Sequence, residues 1–390
     1  ACITAHAITL GKHCYTQKPL THSVYESRLL TKLAKKYRVA TQMGNQGNSF
    51  DWCRQITEWI HSGVIGDVYE VHCWTDRPIW PQGLMKPSDT PKCPKTLDWD
   101  LWIGPAQKRP YNPVYTPWNW RGWWDFGTGA LGDMACHIMD PLYWALDLKY
   151  PTSVIGSSTL SNLYSPPHAQ IVTYTFPARP PKGNVKMPEV KVYWYDGGLM
   201  PPRPEELKDG QMMGDENGGI IFVGTKGKIM TGCYGMNPTL LPVSDMEHFN
   251  QPKPTIPRVK GGNGDIWSTN AHEQDWIRAC KESPENRTEA SSNFQFSGPF
   301  NEMVVMGVLA VRLSGLQGLH RELQWDGENM RFTNISPNDK IKIVTVDDFK
   351  VIDGDPRFDR RFAEFSAAEM ANEWIKHTYN NGFSLPDMPR

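Results

Sequence analysis

The sequence predicts an α/β fold: the C-terminal part of a doubly wound parallel sheet, followed by an α/β domain with a large, mainly antiparallel open sheet. Strand, helix, strand and helix alternate with short connections over residues 13–62, which is typical of a doubly wound sheet. From residue 68 onward, strand-like segments are joined by turn-rich stretches instead. We therefore expect two domains, residues 1–66 and residues 67–390.

The first domain follows from periodicity and capping signals. Residues 1–10 predict a helix that ends at Gly11, and a strand follows at 13–16. Apolar residues at helical spacing predict a helix over 21–36, and the next strand and helix are expected at 38–43 and 50–62. Because the chain opens with a helix already under way, we expect that an upstream part of the sheet is missing from this sequence.

The second domain is predicted from β-branched and aromatic runs separated by turn residues. Strands are expected at 68–75, 153–161, 170–176, 191–195, 220–223 and 228–231. Helices are expected at 133–146, 265–280, 301–317 and 366–379. The polar, proline-rich stretches 78–117, 177–189 and 200–217 are expected to be long loops.

Composition excludes several classes of function. The 390 residues carry a net charge of −1 and no basic run, which argues against nucleic acid as the main partner. No apolar stretch approaches the ~18 residues that a membrane span needs. The eight cysteines include no CxxC pair and no metal-ligand spacing, so we expect reduced thiols and no metal site. His272 and Glu273 begin a zinc-protease pattern that fails at Trp276.

The segment 118–140 carries the strongest functional signal. Asp133, His137 and Asp140 are spaced i, i+4 and i+7, which places them within roughly 60° of one another around a helix. Six tryptophans lie between residues 99 and 124, and indole rings stack on the apolar faces of sugars. We interpret this segment as an active-site wall. The alternatives are a hydrogen-bonded core histidine, an N-cap at Asp133, and tryptophans that only fill a core.

A glycine motif in the same segment has the wrong context for a phosphate site. Residues 127–132 match GxGxxG, the dinucleotide fingerprint, but they follow aromatic residues rather than a strand. No second strand with a ribose-binding acid follows at the expected distance. We expect these glycines to allow a tight turn and a close approach to a ligand.

Two motifs together resemble those of the Gfo/Idh/MocA oxidoreductases. Gln17-Lys18-Pro19, between a predicted strand and helix, resembles the Glu-Lys-Pro motif of that family, and residues 132–140 resemble its D-x-x-x-H-x-x-D segment. The resemblance covers essentially the whole chain. It implies that residues 1–66 form a partial dinucleotide-binding Rossmann domain for NAD or NADP. Residues 67–390 would then form a substrate-binding and oligomerisation domain.

The resemblance also implies roles for single residues. Lys18 would lie near nicotinamide and substrate, Asp133 and His137 would be its catalytic partners, and Asp140 would bind a substrate hydroxyl. Gln17 departs from the family's glutamate and so removes a charge beside the cofactor. The family's glycine-rich phosphate loop and ribose-binding acid are not found, so the choice between NAD and NADP stays open.

Position in the predicted fold adds further candidates. Asn45 and Gln46 follow a strand where a parallel sheet delivers residues to a cofactor crevice, with a plain turn as the alternative. For the candidate substrate contacts outside the two motifs described above, the alternative is that the side chain only packs against its neighbours; these residues are Trp120, Arg121, Trp123 and Tyr195. The candidate cofactor contacts are Gln17, Lys18, Pro19, Asn45 and Gln46. The candidate substrate contacts are Trp120, Arg121, Trp123, Asp140 and Tyr195.

The expected function is hydride transfer between nicotinamide and a sugar, sugar derivative or cyclitol. His137 would act as general acid/base, Asp133 would orient it, and Lys18 would stabilise alkoxide character. One alternative is an NAD-dependent glycosidase of the same fold that works by transient oxidation and elimination. Another is a non-catalytic carbohydrate-binding protein. A homo-oligomer, dimer or tetramer, is expected, and the compartment, cytoplasm or periplasm, stays open.

Overall fold

The computed structural model describes residues 1–316 and 321–389. The helices are α1 (Cys2–Thr9), α2 (Val24–Tyr37), α3 (Asp51–His61), α4 (Trp99–Ile103), α5 (Gly129–Ile138), α6 (Asp140–Ala145), α7 (Ala271–Lys281), α8 (Phe294–Arg312) and α9 (Ala367–Ile375). The first eight strands are β1 (Cys14–Gln17), β2 (Thr41–Gly44), β3 (Val68–Thr75), β4 (Ser153–Ser158), β5 (Gln170–Phe176), β6 (Arg179–Lys182), β7 (Val185–Met187) and β8 (Val190–Asp196). The others are β9 (Gly218–Gly224), β10 (Lys228–Gly232), β11 (Thr239–Leu241), β12 (Leu323–Asp326), β13 (Arg331–Phe332), β14 (Lys340–Ile352) and β15 (Asp355–Ser366).

The N-terminal unit is built on two parallel strands. β1 pairs with β2 from Cys14↔Thr41 to Gln17↔Gly44, and α2 makes the crossover between them. α2 begins with a capping box, in which Ser23 accepts from the backbone of Glu26 and the Glu26 side chain accepts from the backbone of Ser23. Its apolar stripe packs on α8, which ties this unit to the rest of the molecule.

The second sheet has nine strands in the order β11-β10-β9-β3-β8-β5-β4-β12-β13. Every pair except β3–β8 is antiparallel, so the expected α/β fold with a large, mainly antiparallel sheet is confirmed. On one face, Cys73, Trp194 and Phe222 pack against the helices. On the other face, Trp74 and Tyr195 pack in a separate, smaller apolar cluster. Successive residues alternate between these faces, as a strand requires.

Several predicted boundaries differ from the observed ones. The helix expected at 133–146 is two helices, because α5 ends at Ile138 and α6 starts again at Asp140 with Pro141 in its first turn. Proline lacks the backbone N–H that a continuous helix would need at that point. Two of the expected loops contain regular structure, namely α4 and the hairpin β6–β7. The helix expected at 301–317 begins earlier, at Phe294, and residue 317 lies outside the described residues.

A long hairpin near the C-terminus is absent from our prediction. β14 and β15 pair only with each other as a sheet, and Asp353 and Gly354 join them with positive φ of 53° and 86°. Asp-Gly is a favoured sequence for such a two-residue turn, so a local signal was present. None of the helices in the described ranges combines the length and apolar character needed to span a bilayer.

Candidate active site

Two loops meet at one edge of the parallel pair. Lys18 follows the last residue of β1, Asn45 follows the last residue of β2, and Gln17 and Gly44 are in register. Parallel strands place their carboxyl ends at the same edge, which is where doubly wound sheets bind ligands. α5 lies against this edge, since its Asp133 contacts Lys18 directly.

Lys18, Asp133 and Arg121 form one cluster. Lys18 Nζ donates to Asp133 Oδ1 at 3.0 Å and to the backbone oxygen of Asp133 at 2.7 Å. Arg121 Nε donates to the same Oδ1 at 2.8 Å. The exposed fractions of the three side chains are 17%, 10% and 17% in the order Lys18, Asp133 and Arg121. Two cations share one carboxylate, so the cluster presents a net positive charge with little water around it.

The Arg121 guanidinium is also held by indole rings. Its Cζ lies 4.0 Å from the ring centre of Trp118 and 4.5 Å from that of Trp120. Such cation–π contacts fix the plane of the guanidinium without neutralising its charge. The structure thus brings the predicted residues Trp120 and Arg121 to the cluster.

His137 lies one helical turn after Asp133 and is buried. Its Nδ1 is buried without a hydrogen-bond partner among the described residues, and the ring packs edge-on against Tyr234 at 4.8 Å between centres. Burial, the charge of Lys18 and His272 hold the pKa of His137 well below its usual value. The imidazole is therefore neutral at neutral pH.

Asp133 does not orient His137, contrary to our expectation. Its carboxylate faces Lys18 and Arg121, and no hydrogen bond joins it to the imidazole. The N-cap of α5 is Thr128, so Asp133 lies within the helix rather than at its N-terminus. The N-cap alternative for Asp133 is wrong, because the helix begins four residues earlier, at Gly129.

Asp140 joins the two halves of the molecule. Asn45 Nδ2 donates to its Oδ2 and Asn48 Nδ2 to its Oδ1, each at 2.9 Å. Burial raises the pKa of Asp140 to about 7 against the opposing effects of Asn48, Arg54 and Asn45. Asp140 is 1% exposed and both asparagines are 0% exposed, so all three side chains are buried. Its role as a direct substrate ligand stays a prediction.

Two predicted substrate contacts lie away from this cluster. Trp123 is buried, donates from Nε1 to the backbone oxygen of Val114 at 2.9 Å and packs edge-on against Tyr115, so the core alternative describes it better. Tyr195 points to the sheet face opposite the helices, where its hydroxyl is 3.1 Å from His72 Nδ1. We listed Tyr195 as a candidate substrate contact, but strand alternation directs its ring to the face opposite the helices.

Tyr234 lies at the site and was not predicted, as is also true of Asn48 and Trp118. Tyr234 contacts His137 and has φ 62° and ψ 12°, the left-handed region that a tyrosine seldom adopts. The exposed Trp267 packs edge-on against it at 5.6 Å between ring centres. Only the glycine that follows Tyr234 hints at an unusual turn in the sequence.

The glycines of residues 127–132 serve internal packing. A Cβ added at Gly127 would lie 2.7 Å from the backbone of Arg121, and one at Gly132 would lie 1.8 Å from the hydroxyl of Thr128. At Gly129, where φ is +69°, it would meet Pro166 at 2.8 Å. These glycines permit the tight turn that we expected, but they approach the protein's own chain rather than an open cleft.

Comparison with known sequences finds one family model that is similar to part of this chain. The model of the oxidoreductase family's C-terminal alpha/beta domain, of the Gfo/Idh/MocA group, matches residues 58–158. Over residues 58–158 the chain is therefore similar to the Gfo/Idh/MocA oxidoreductases. The match spans β3, α5 and α6, and with them Arg121, Asp133 and His137. It confirms the resemblance that the motifs suggested.

Solved structures with similar folds have low sequence identity to this chain. An inositol dehydrogenase homolog from Azotobacter vinelandii, described as complexed with NADH and myo-inositol, is 13% identical with a TM-score of 0.46, covering 83% of this chain and 74% of that one. An NAD binding oxidoreductase from Klebsiella pneumoniae is 14% identical, with a TM-score of 0.47 and coverage of 83% and 76%. An aldose-aldose oxidoreductase from Caulobacter crescentus is 13% identical, with a TM-score of 0.44 and coverage of 83% and 75%. No curated protein sequence matches the chain.

Proposed function

We propose that this protein is an NAD(P)-dependent oxidoreductase that transfers a hydride between nicotinamide and a sugar, sugar derivative or cyclitol. The observation that carries the proposal is the meeting of Lys18, at the carboxyl end of β1, with Asp133 one turn from a neutral, buried His137. The family match to an oxidoreductase domain supports the reaction class. The tryptophans that flank the cluster support the substrate class, because indole rings stack on the apolar faces of sugars.

The residues at the strand edge fit the nicotinamide end of a dinucleotide. Gln17, Lys18, Pro19, Asn45 and Gln46 would hold it. Gln17 ends β1, and the other four lie in the two loops that leave β1 and β2. Asn45 Oδ1 is buried without a partner, so it is an acceptor for an amide such as a carboxamide. When bound, the cofactor supplies the hydride acceptor or donor. Residues 1–66 would accordingly form part of a Rossmann domain, and 67–390 the substrate domain.

The protein's own groups handle the proton and the charge. In the oxidation direction, the carbinol carbon loses a hydride while its hydroxyl proton passes to the neutral imidazole of His137. Lys18 has three N–H bonds, and Asp133 accepts two of them, which leaves the third for the substrate oxygen. A fixed ammonium stabilises developing alkoxide charge more strongly in a dry site than in water. Asp133 is then a positioning residue for Lys18 and Arg121.

The decisive experiment follows NADH formation by the 390-residue chain over a panel of sugars and cyclitols. We expect turnover that His137→Ala lowers by about 10²–10⁴-fold and that the surface variant Lys12→Ala leaves unchanged. Circular dichroism of both variants separates lost chemistry from lost folding. Normal turnover in His137→Ala would contradict its role. Release of an aglycone without net NADH would identify the glycosidase instead. Sugar binding that is indifferent to NAD(P), without turnover, would identify a binding protein.

A further inference from the structure

Trp267 is the most exposed of the sixteen tryptophans. All of them lie in the described residues, and only Trp118 and Trp267 are exposed, at 51% and 72%. Trp118 stacks on Arg121. Within the described ranges the Trp267 indole contacts one aromatic ring, that of Tyr234, and no cation. An indole that fills no core and covers no charge is available to a ligand.

The turn that carries Trp267 is fixed by hydrogen bonds. Asp265 Oδ1 accepts from the backbone nitrogen of Trp267 at 3.1 Å, which is the local bond of an Asx turn. Upstream, the Gly262 oxygen accepts from the backbone nitrogen of Asp51 at 2.9 Å. A Cβ added at Gly262 would lie 2.4 Å from the backbone oxygen of Ser49, so this loop packs directly on the segment after β2. The backbone under the indole is therefore fixed before a ligand binds, which lowers the ordering cost of binding.

A chain of ring contacts leads from the buried imidazole to solvent. The ring centres of His137 and Tyr234 are 4.8 Å apart, and those of Tyr234 and Trp267 are 5.6 Å apart. The planes of Tyr234 and Trp267 meet at 85°, so Tyr234 covers at most one face of the indole and leaves the other open. Tyr234 keeps this place with a φ of 62°, and strained backbone of this kind clusters at functional sites.

Tyr234 adds a hydrogen-bond donor beside the indole. Its side chain is half-buried, and burial raises the pKa of the phenol, so the hydroxyl keeps its proton at neutral pH. No hydrogen bond joins this hydroxyl to another described residue. A sugar presents an apolar ring face and hydroxyl groups at the ring edge. An open indole next to a free donor matches it in both respects.

We propose that Tyr234 and Trp267 form a second sugar subsite, which binds the unit next to the one that is oxidised. The inference rests on the proposed function, because it takes His137 as the group that faces the oxidised unit. The Tyr234 ring lies between the imidazole and the indole, so the sugar that stacks on Trp267 is a different unit from the sugar at His137. The substrate is accordingly a disaccharide or longer glycoside rather than a free monosaccharide.

The test compares NADH formation from monosaccharides with that from disaccharides that contain them: glucose against maltose and cellobiose, and galactose against lactose. In the wild type, kcat/KM for at least one disaccharide should exceed that for its monosaccharide about tenfold, through one added stacking contact. Trp267→Ala should abolish this ratio through a higher KM for the disaccharide, and Trp267→Phe should retain most of it. Phe358→Ala removes a similarly exposed ring on β15 and, as the matched control, should keep the wild-type ratio.

The outcomes that contradict the subsite differ from the one that contradicts the proposed function. Turnover of monosaccharides without an advantage for any disaccharide, or an unchanged ratio in Trp267→Ala, would overturn the subsite and leave the oxidoreductase proposal intact. A higher KM for NAD in Trp267→Ala, equal with every sugar, would place the indole at the cofactor and would also overturn it. No NADH from any sugar or cyclitol would contradict the proposed function, and the subsite with it. Because Trp267 is exposed, circular dichroism should show that both of its variants fold.

Discussion

The Lys18–Asp133 cluster contains buried polar atoms without hydrogen-bond partners, whereas the hairpin β14–β15, which we call the arm, exposes apolar side chains to water. At the cluster, polar atoms are buried and some have no partner, as with His137 Nδ1 and Asn45 Oδ1. On the arm, apolar side chains such as Phe358 are in water. Both features cost free energy in the isolated chain. A small polar ligand would remove the first cost and not the second.

The largest effect is expected at the cluster lysine. Lys18→Met removes the ammonium that would face the substrate oxygen, while Arg121 remains to pair with Asp133. Turnover should fall by about 10²–10³-fold, as for other lost donors to a developing anion. In the arm, Lys350→Met removes only an exposed pair with Asp348 and should leave turnover unchanged. Steady-state kinetics measures the turnover of both variants. Equal losses of turnover in Lys18→Met and Lys350→Met would contradict a specific role for the cluster lysine.

The free energy of unfolding should depend strongly on a buried aromatic residue of the nine-stranded sheet and only weakly on an exposed one of the arm. Phe222 is fully buried in the nine-stranded sheet, and Phe222→Ala should cost about 3–5 kcal/mol of unfolding free energy. Phe358→Ala, at an exposed position, should change it by no more than about 0.5 kcal/mol in dilute protein. Urea unfolding at low concentration measures both. A large loss in Phe358→Ala under those conditions would show that the arm folds back on its own chain.

Arg121→Lys tests whether the stacked guanidinium of Arg121, rather than its charge alone, contributes to substrate binding. The lysine keeps the positive charge but loses the planar stacking between Trp118 and Trp120. We expect KM for the substrate to rise about tenfold with a smaller change in kcat, since the cation–π contacts of the guanidinium with three indole rings, those of Trp80, Trp118 and Trp120, are weakened. Arg360→Lys in the arm is the matched control. An unchanged KM in Arg121→Lys would remove this residue from the substrate site.

The smallest expected effect is the pH dependence of stability at Asp140. Its pKa of about 7 in the folded chain exceeds the usual value near 4, so the folded form holds a proton that the unfolded form has released. Its contribution to stability is complete below about pH 4 and is lost as the pH rises to about 7. Asp140→Asn should flatten this part of the profile relative to the wild type in denaturation between pH 4 and 8. A parallel profile would show that Asp140 is ionised throughout.

Local patterns predicted most of the sheet. The bounds of β3 and β5 agree with the strands expected at 68–75 and 170–176, because both have β-rich runs between turn residues. The break at Met139 was missed because helical periodicity continues through it, and only Pro141 opposes it. The hairpin β14–β15 was missed although Asp353-Gly354 is a turn signal, because its charged distal face hides the alternation.

The meeting of Lys18 and Asp133 was predicted from the two sequence motifs, whereas contacts outside those motifs were not. Lys18 and Asp133 lie 115 positions apart in the chain and still meet at 3.0 Å, as the two motifs implied. Whether a tryptophan is exposed depends on what covers it, so Trp120 and Trp123 could not be told apart from sequence. Tyr234 reaches His137 from a distant turn, and no local pattern encodes such a contact.

The Asp140 carboxyl has a consequence for motion. It accepts one amide hydrogen from each of Asn45 and Asn48 and so fastens the loop after β2 to the start of α6. Moving the loop after β2 away from α6 would break both of these buried hydrogen bonds at once. The loop after β2 is therefore held in place against α6 before any ligand binds, and binding requires no large rearrangement of the backbone at this contact.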